Sequence, residues 1–207
     1  MESKVFSGII RDIGQITSLD EKKGDLKISV KTKLPLEDIS IGDSISCDGI
    51  CLTVIYLSKN TFNAELSKET LSITTSKSWK KSKNINIEKS LLLGEQIGGH
   101  LVSGHVDCLG VLKNKQVIKG STKLDFEIPR EFNKYISKKG SIAINGVSLT
   151  INKTNKNLFS VNIISHTLKN TTLALLKLQN EVNIEVDSIA RYAVNAAESY
   201  IKEREDE

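Results

Sequence analysis

Cysteine is scarce in this chain. Three thiols, Cys47, Cys51 and Cys108, among 207 residues are too few and too odd in number for a disulfide framework. Long apolar runs are missing as well: none approaches the roughly 20 residues that span a bilayer. The opening MESKVFSGII lacks a signal-peptide core followed by a small-residue cleavage site. The expected compartment is therefore the cytoplasm. Arginine contributes little to the net charge of +4, which comes almost wholly from lysines scattered among Ser, Thr and Asn. No basic stripe interleaves with aromatics, which argues against a nucleic-acid partner. A hydrophobic content of 39% and a charged content of 26% suit a globular protein.

What the chain does contain is itself, twice. Residues 44–90 slid forward by 97 positions fall on 141–187 without a gap, with about a third of the positions identical. The matches include Gly49/Gly146, Leu52/Leu149, Thr53/Thr150, Phe62/Phe159 and Thr70/Thr167. The run Asn86-Ile87-Glu88 also falls on Asn183-Ile184-Glu185. Ser7-Gly8 matches Ser103-Gly104 at an offset of 96. A repeat of this length is a whole small domain rather than a solenoid unit. It implies a pseudo-twofold molecule with two similar sites, divided as 1–99, 100–187 and a tail at 188–207.

Alternation dominates within each copy. Ile50, Leu52 and Val54 share one face while Cys51 and Thr53 share the other; Val147, Leu149 and Ile151 oppose Ser148 and Thr150. Period two predicts strands, here at 44–54 and its copy and at about 5–17, 25–32, 61–66, 84–88, 101–113, 122–128, 158–164 and 181–186. Many short strands with Gly or Asn at the turns predict an all-β fold of small closed barrels. The end differs. Asp187 or Ser188 is placed to cap a helix reaching about Arg204, with Ile189, Tyr192, Ala193, Ala196, Tyr200 and Ile201 on one stripe. Neither barrel needs that stripe, so oligomerisation is the favoured destination.

Two segments stand out chemically. Asp48-Gly-Ile-Cys-Leu-Thr53 and Asn145-Gly-Val-Ser-Leu-Thr150 each aim a small nucleophile-type side chain and a Thr away from the apolar face. A further cluster is Gly98-Gly99-His100-Leu101-Val102-Ser103-Gly104-His105. On a continuous strand its two histidines, five apart, face opposite sides. Cys47 and Cys51 have no matching Cys/His pair in the second copy, so no metal is expected. The glycine run precedes no convincing helix, which excludes a dinucleotide or P-loop cradle. The copies also differ: Cys51 becomes Ser148, Asp48 becomes Asn145, Glu69 becomes His166 and Ile9 becomes His105, while Lys139 has no basic partner at Gly42. Two similar sites with unlike reactive groups suit a reaction in which two copies of one molecule play different parts.

These residues resemble the riboflavin synthase family of lumazine-binding barrels, specifically its alpha chain. The motifs are Phe6-Ser7-Gly8-Ile9-Ile10, Cys51-Leu52-Thr53, Lys68-Glu69-Thr70-Leu71, Ile97 through Val106, Gly146-Val147-Ser148-Leu149-Thr150 and Asn183-Ile184-Glu185-Val186-Asp187. The resemblance implies two six-stranded Greek-key barrels and a C-terminal helix that forms a homotrimer, with no cofactor. It implies the dismutation of two molecules of 6,7-dimethyl-8-ribityllumazine to riboflavin and 5-amino-6-ribitylaminouracil, between one subunit's N-terminal barrel and a neighbour's C-terminal barrel. It leaves open an outer shell of lumazine synthase as a partner.

By position, Gly8, Ile9, Ile10, Cys51, Leu52, Thr53, Glu65, Leu66, Ser67, Lys68, Glu69 and Thr70 are expected to line a first site. Gly104, His105, Val106, Ser148, Leu149, Thr150, Asn162, Ile163, Ile164, Ser165, His166 and Thr167 are expected to line a second. His105 is the expected proton-transfer group. Cys51 is the candidate nucleophile or a polar wall. Ser44 is its expected neighbour and positions water, Phe6 packs on the rings, and Lys139 arrives from a partner subunit to stabilise negative charge. A lumazine- or flavin-binding antenna protein of luminous bacteria is the main rival. Retention of Gly-x-x-Leu-Thr and Thr-Leu elements in both copies, with Ser148, Lys139 and His105, favours the enzyme. A flavin-dependent oxidoreductase is disfavoured, since no pyrophosphate cradle or nicotinamide domain is found.

Overall fold

The structure, a computed structural model, describes residues 5–22 and 24–205. Alternating burial builds two barrels. The first takes β1 (Asp12–Lys22), β2 (Asp25–Lys31), β3 (Ser44–Cys47), β4 (Ile50–Ser58), β5 (Thr61–Leu66) and β6 (Asn84–Lys89). They close in the order β1-β2-β5-β4-β3-β6, every pair antiparallel. The second takes β7 (Cys108–Ile118), β8 (Ser121–Glu127), β9 (Ser141–Ile144), β10 (Val147–Asn155), β11 (Leu158–Ile164) and β12 (Glu181–Val186). It closes in the equivalent order, with β11 pairing β8 as β5 pairs β2. In each, the return across the central hairpin is the Greek-key step. Register shifts recur at matching places, between Val54/Tyr56 and Ile151/Lys153 and between Ile16/Ser18 and Leu112/Asn114. Such bulges sharpen the twist that lets six short strands close.

Each barrel is filled by its own inward set. Ile16, Ile28, Val30, Val54, Phe62 and Ile87 fill the first, and Leu112, Leu124, Phe126, Ile151, Phe159 and Ile184 fill the second. Among the described residues no helix is long and apolar enough to cross a membrane.

Two expected strands begin late. Pairing along the barrels starts at Asp12 and Cys108, not at 5 and 101. Positive φ at Gly8 (+74°) and Gly104 (+76°) turns residues 5–11 and 101–107 out of the barrels. There Phe6 and Val102 exchange backbone hydrogen bonds of 2.8 and 3.0 Å. Two short helices that alternation did not predict follow β5 and β11: α1 (Lys68–Ile73) and α2 (Ser165–Lys169).

The seam between the barrels is polar and twofold in pattern. Asn86 Nδ2 donates to the Asn145 carbonyl (2.9 Å) while Asn86 Oδ1 accepts from Thr172 N (2.7 Å). Asn183 repeats this with the Asp48 carbonyl (2.8 Å) and Thr75 N (2.8 Å). Asp48 Oδ1 accepts from Asn86 N (2.8 Å), and Asn145 Oδ1 does the same for Asn183 N (2.7 Å). The symmetry is broken chemically at this point: one side is a carboxyl, the other an amide. Burial pushes the Asp48 carboxyl up to about 6, against a smaller downward pull from Lys83. A folded-state value above the unfolded one means stability is full below about pH 4 and is lost as pH rises through about 6. Asp48→Asn keeps the shape and the accepting oxygen that Asn145 already uses. It is expected to gain about 2–3 kcal/mol at pH 7 and nothing at pH 4, read from urea unfolding at both values. Equal gains at the two pH values would contradict this.

The last helix, α3 (Ser188–Glu205), is capped by Asp187, whose Oδ1 accepts from Ile189 N (2.9 Å). Arg191 ties it to Asp107 (2.6 Å) and Lys134 to Glu198 (2.8 Å). The predicted stripe turns outward: Ile189 and Tyr192 are 70% and 72% exposed, with Tyr200 and Ile201 exposed beyond them.

Candidate functional site

The motif strands β4 and β10 place Cys51 and Ser148 half-buried and Thr53 and Thr150 exposed, on the faces that alternation predicts. What lies over each is a surprise. Cys51 N donates to the Gly104 carbonyl, and Ser148 N to the Gly8 carbonyl, both at 2.8 Å. The approach is so close that a Cβ on Gly104 would stand 2.5 Å from Cys51 Cβ, and one on Gly8 2.6 Å from Ser148 Cβ. The apolar contacts agree. Val106 packs on the first barrel's core and Ile10 on the second's.

The grouping expected from sequence is therefore exchanged. Gly104, His105 and Val106 join Cys51, Leu52 and Thr53 in a first seat. Gly8, Ile9 and Ile10 join Ser148, Leu149 and Thr150 in a second. Linear order suggests the opposite, since each segment precedes its own barrel. The segments cross because Phe6 and Val102 pair with each other at the molecular pseudo-axis.

The far edge of each seat is the end of β5 or β11 and the short helix after it. Ser67 caps α1 by accepting from Thr70 N (3.1 Å), and Glu65, Ser67, Lys68 and Glu69 are exposed with Thr70 half-buried. In the second barrel Asn162, Ile164, Ser165 and His166 are exposed and Thr167 half-buried. Leu52, Leu66 and Ile163 point inward, at 3% exposure or less, so their side chains belong to the cores rather than to a ligand surface.

Several proposed chemical residues sit differently from expectation. Phe6 is fully buried in a cluster with Val102, Ala143 and the side of Cys51, leaving no ring face for a ligand. Ser44 pairs across the hairpin with Thr53, whereas Cys51 pairs with Ser46, so Ser44 lies one step away on the same face. His105 is exposed beside the first seat, next to the Gly104 carbonyl. Lys139 is exposed in a turn at φ +71°, its N donating to Ile151 O.

The histidine that reaches a candidate nucleophile is His100. Because residues 99–107 form no continuous strand, the opposed-face expectation for His100 and His105 does not apply. His100 N donates to Ser7 O (3.2 Å), and His100 Nδ1 lies 2.7 Å from Ser148 Oγ. Its Nε2 is buried without a hydrogen-bond partner among the described residues. Burial lowers the His100 pKa below its usual 6.5, against a smaller upward pull from Asp187. A neutral imidazole beside a hydroxyl, with its far nitrogen unsatisfied, can take or relay one proton. The sequence signal for it was Gly99, whose missing side chain lets the backbone beside His100 press against Ser7 and Ser148, while Gly98 lies against Ile9. Among the described residues no group of three or more His, Cys, Asp or Glu is placed to hold a metal ion.

Comparison with known proteins bears on these two seats. The profile of the lumazine binding domain matches residues 7–90 and again 103–187. Riboflavin synthase of Photobacterium phosphoreum is 42% identical over 91% of this chain and 87% of its own. That of Brucella abortus is 39% identical over 94% of this chain and 98% of its own. Among solved structures, LumP complexed with 6,7-dimethyl-8-(1'-D-ribityl) lumazine has a TM-score of 0.79 at 21% identity, covering 87% of this chain and 98% of that one. At that identity the likeness is one of fold.

Proposed function

The chain belongs to the riboflavin synthase family, with two lumazine binding domains, and on that premise we propose how its two seats divide the work. Each seat takes one 6,7-dimethyl-8-ribityllumazine. Backbone groups of the crossed segments meet the pyrimidine edge, and the Ser and Thr hydroxyls meet the ribityl chain. One lumazine gives four carbons to the other. Riboflavin and 5-amino-6-ribitylaminouracil leave, so the protein is a transferase whose substrate is both donor and acceptor. The observation that carries this reading is the pair of like seats with unlike groups: Ser148 with His100 in one, Cys51 with the nearby His105 in the other.

The substrate's 7-methyl protons are acidic because the anion spreads into the pteridine ring. Neutral His100, through Ser148, is the group suited to moving such a proton. Aligning two rings supplies much of the rest, since fixed orientation alone is worth ~7–11 kcal/mol. Both seats are open in the single chain, with Thr53 and Thr150 exposed. The reacting pair therefore forms between the first barrel of one subunit and the second barrel of a neighbour, where Lys139 of that neighbour offers a cation. The exposed stripe of α3 supplies the contact for a homotrimer, and three cysteines outside any disulfide suit a cytoplasmic protein. Tyr192→Glu is expected to convert the trimer to monomer in sedimentation and to abolish turnover while leaving the fold intact; an active monomer would refute the shared site.

The direct test is to incubate the protein with 6,7-dimethyl-8-ribityllumazine alone. Riboflavin and the pyrimidinedione in equal amounts, from two substrates consumed, support the reading. The shared fold with LumP gives the alternative its definite signature: tight binding and no product.

A further inference from the structure

Glu88 and Glu185 close β6 and β12, and each is a buried carboxylate at 2% and 5% exposure. Among the described residues neither has an ion-pair partner. Glu88 instead accepts from Ser7 N (2.9 Å), Ser7 Oγ (2.7 Å) and Gly8 N (3.0 Å). Glu185 accepts from Ser103 N (2.6 Å), Ser103 Oγ (2.6 Å) and Gly104 N (2.9 Å). Burying a charge against neutral donors is a costly way to hold two barrels together, and apolar packing would serve stability better. What the arrangement does provide is direction. Two successive N–H groups fixed on one carboxylate leave the following carbonyl no freedom to turn. That carbonyl, of Gly8 or Gly104, is the one that meets Ser148 N or Cys51 N.

We infer that Glu88 and Glu185 are crossed positioning residues: each barrel's carboxylate sets the geometry of the ligand seat on the other barrel. Glu88, in the first barrel, governs the Ser148 seat. Glu185, in the second, governs the Cys51 seat. This rests on the two-seat reading above and adds a rule to it: damage to one barrel's carboxylate is felt across the seam, not at home.

Composition makes a test practical, because the chain has three cysteines and three histidines. In the full-length assembly, the amide signal of Cys51 after cysteine ¹⁵N-labelling reports the first seat. The imidazole signals of His100 after histidine ¹⁵N-labelling report the second. Glu185→Gln keeps the volume but turns one acceptor into a donor. It is expected to shift the ligand-free Cys51 amide and leave His100 unmoved. It should also weaken riboflavin, used as the probe, about tenfold or more when titrated on Cys51, the scale of one charge-assisted hydrogen bond, with little change on His100. Glu88→Gln should give the mirror result. Ser103→Ala and Ser7→Ala remove a single donor each and serve if a Gln variant folds poorly; they should move the same signals by less. A variant that perturbs the seat of its own barrel, or both seats alike, overturns the crossed assignment. Riboflavin that moves neither signal in the unaltered protein refutes the two-seat reading instead, and the ligand-free shifts still decide the crossing.

Discussion

His100→Gln is expected to cut turnover by about 10²–10⁴-fold, the usual worth of a positioned proton-transfer group. The effect should fall on kcat more than on riboflavin binding. Gln can still donate to or accept from Ser148 Oγ, but it cannot carry a proton near neutral pH. Ser148→Ala removes the other half of the 2.7 Å contact. Because the two groups act as a unit, the double variant should be scarcely worse than either single one. The pH dependence carries a sign. His100 must be neutral to accept a proton, and burial holds its pKa below 6.5. The acid limb of kcat/KM should therefore lie below pH 6.5, and it should disappear in His100→Gln. His105→Ala is the comparison that matters, since sequence alone favours His105 for this task. Full loss in His105→Ala with activity retained in His100→Gln would reverse the assignment.

Gly49→Ala is expected to be the most damaging small change for stability. At Gly49 (φ +81°) an added Cβ would lie 2.6 Å from Gly146 N; at Gly146 (φ +77°) it would lie 2.8 Å from Gly49 N. These two backbones meet on the pseudo-axis, and neither can retreat without breaking the Asn86 and Asn183 bonds around them. The positive φ costs about 1–3 kcal/mol by itself, and the backbone collision brings the total to about 3–5 kcal/mol. Gly120→Ala separates the two contributions. Gly120 has the same φ of +81° but nothing within 4 Å. Denaturant unfolding should show a loss of about 1–3 kcal/mol for Gly120→Ala and one about twice as large for Gly49→Ala or Gly146→Ala. Similar losses at all three would mean that the close approach carries no energetic weight.

The two barrels were legible because alternation and repetition are local and internal signals. Cys51 and Thr53, with their counterparts Ser148 and Thr150, could be placed on outer faces from period two alone. The outward stripe of α3 was legible in the same way, at period 3.6. The crossing of the two segments was not, because a hydrophobic pattern says which face a residue takes but not which barrel it covers. Gly8 and Gly104 announce a turn, yet its destination depends on the long-range pairing of Phe6 with Val102. The same gap hid His100. Its contact with Ser148 follows from a bent segment, whereas the assumption of a straight strand drew attention to His105. Phe6 was misplaced because an aromatic next to a binding motif reads as a stacking surface, and only packing reveals that it fills the seam. The short helices α1 and α2 escaped notice because each spans less than two turns, too little for a period to register.

If the barrels were separate copies of one shorter chain clasping each other about a true axis, every substitution would appear on both sides at once. A cysteine introduced at one seat would be a cysteine at its twin. Joining the halves in a single polypeptide keeps the reciprocal clasp but gives each half its own codons. Asp48 can then face Asn145, and Cys51 can answer Ser148, without either change being copied. A symmetric scaffold thereby acquires the freedom to treat two identical guests differently.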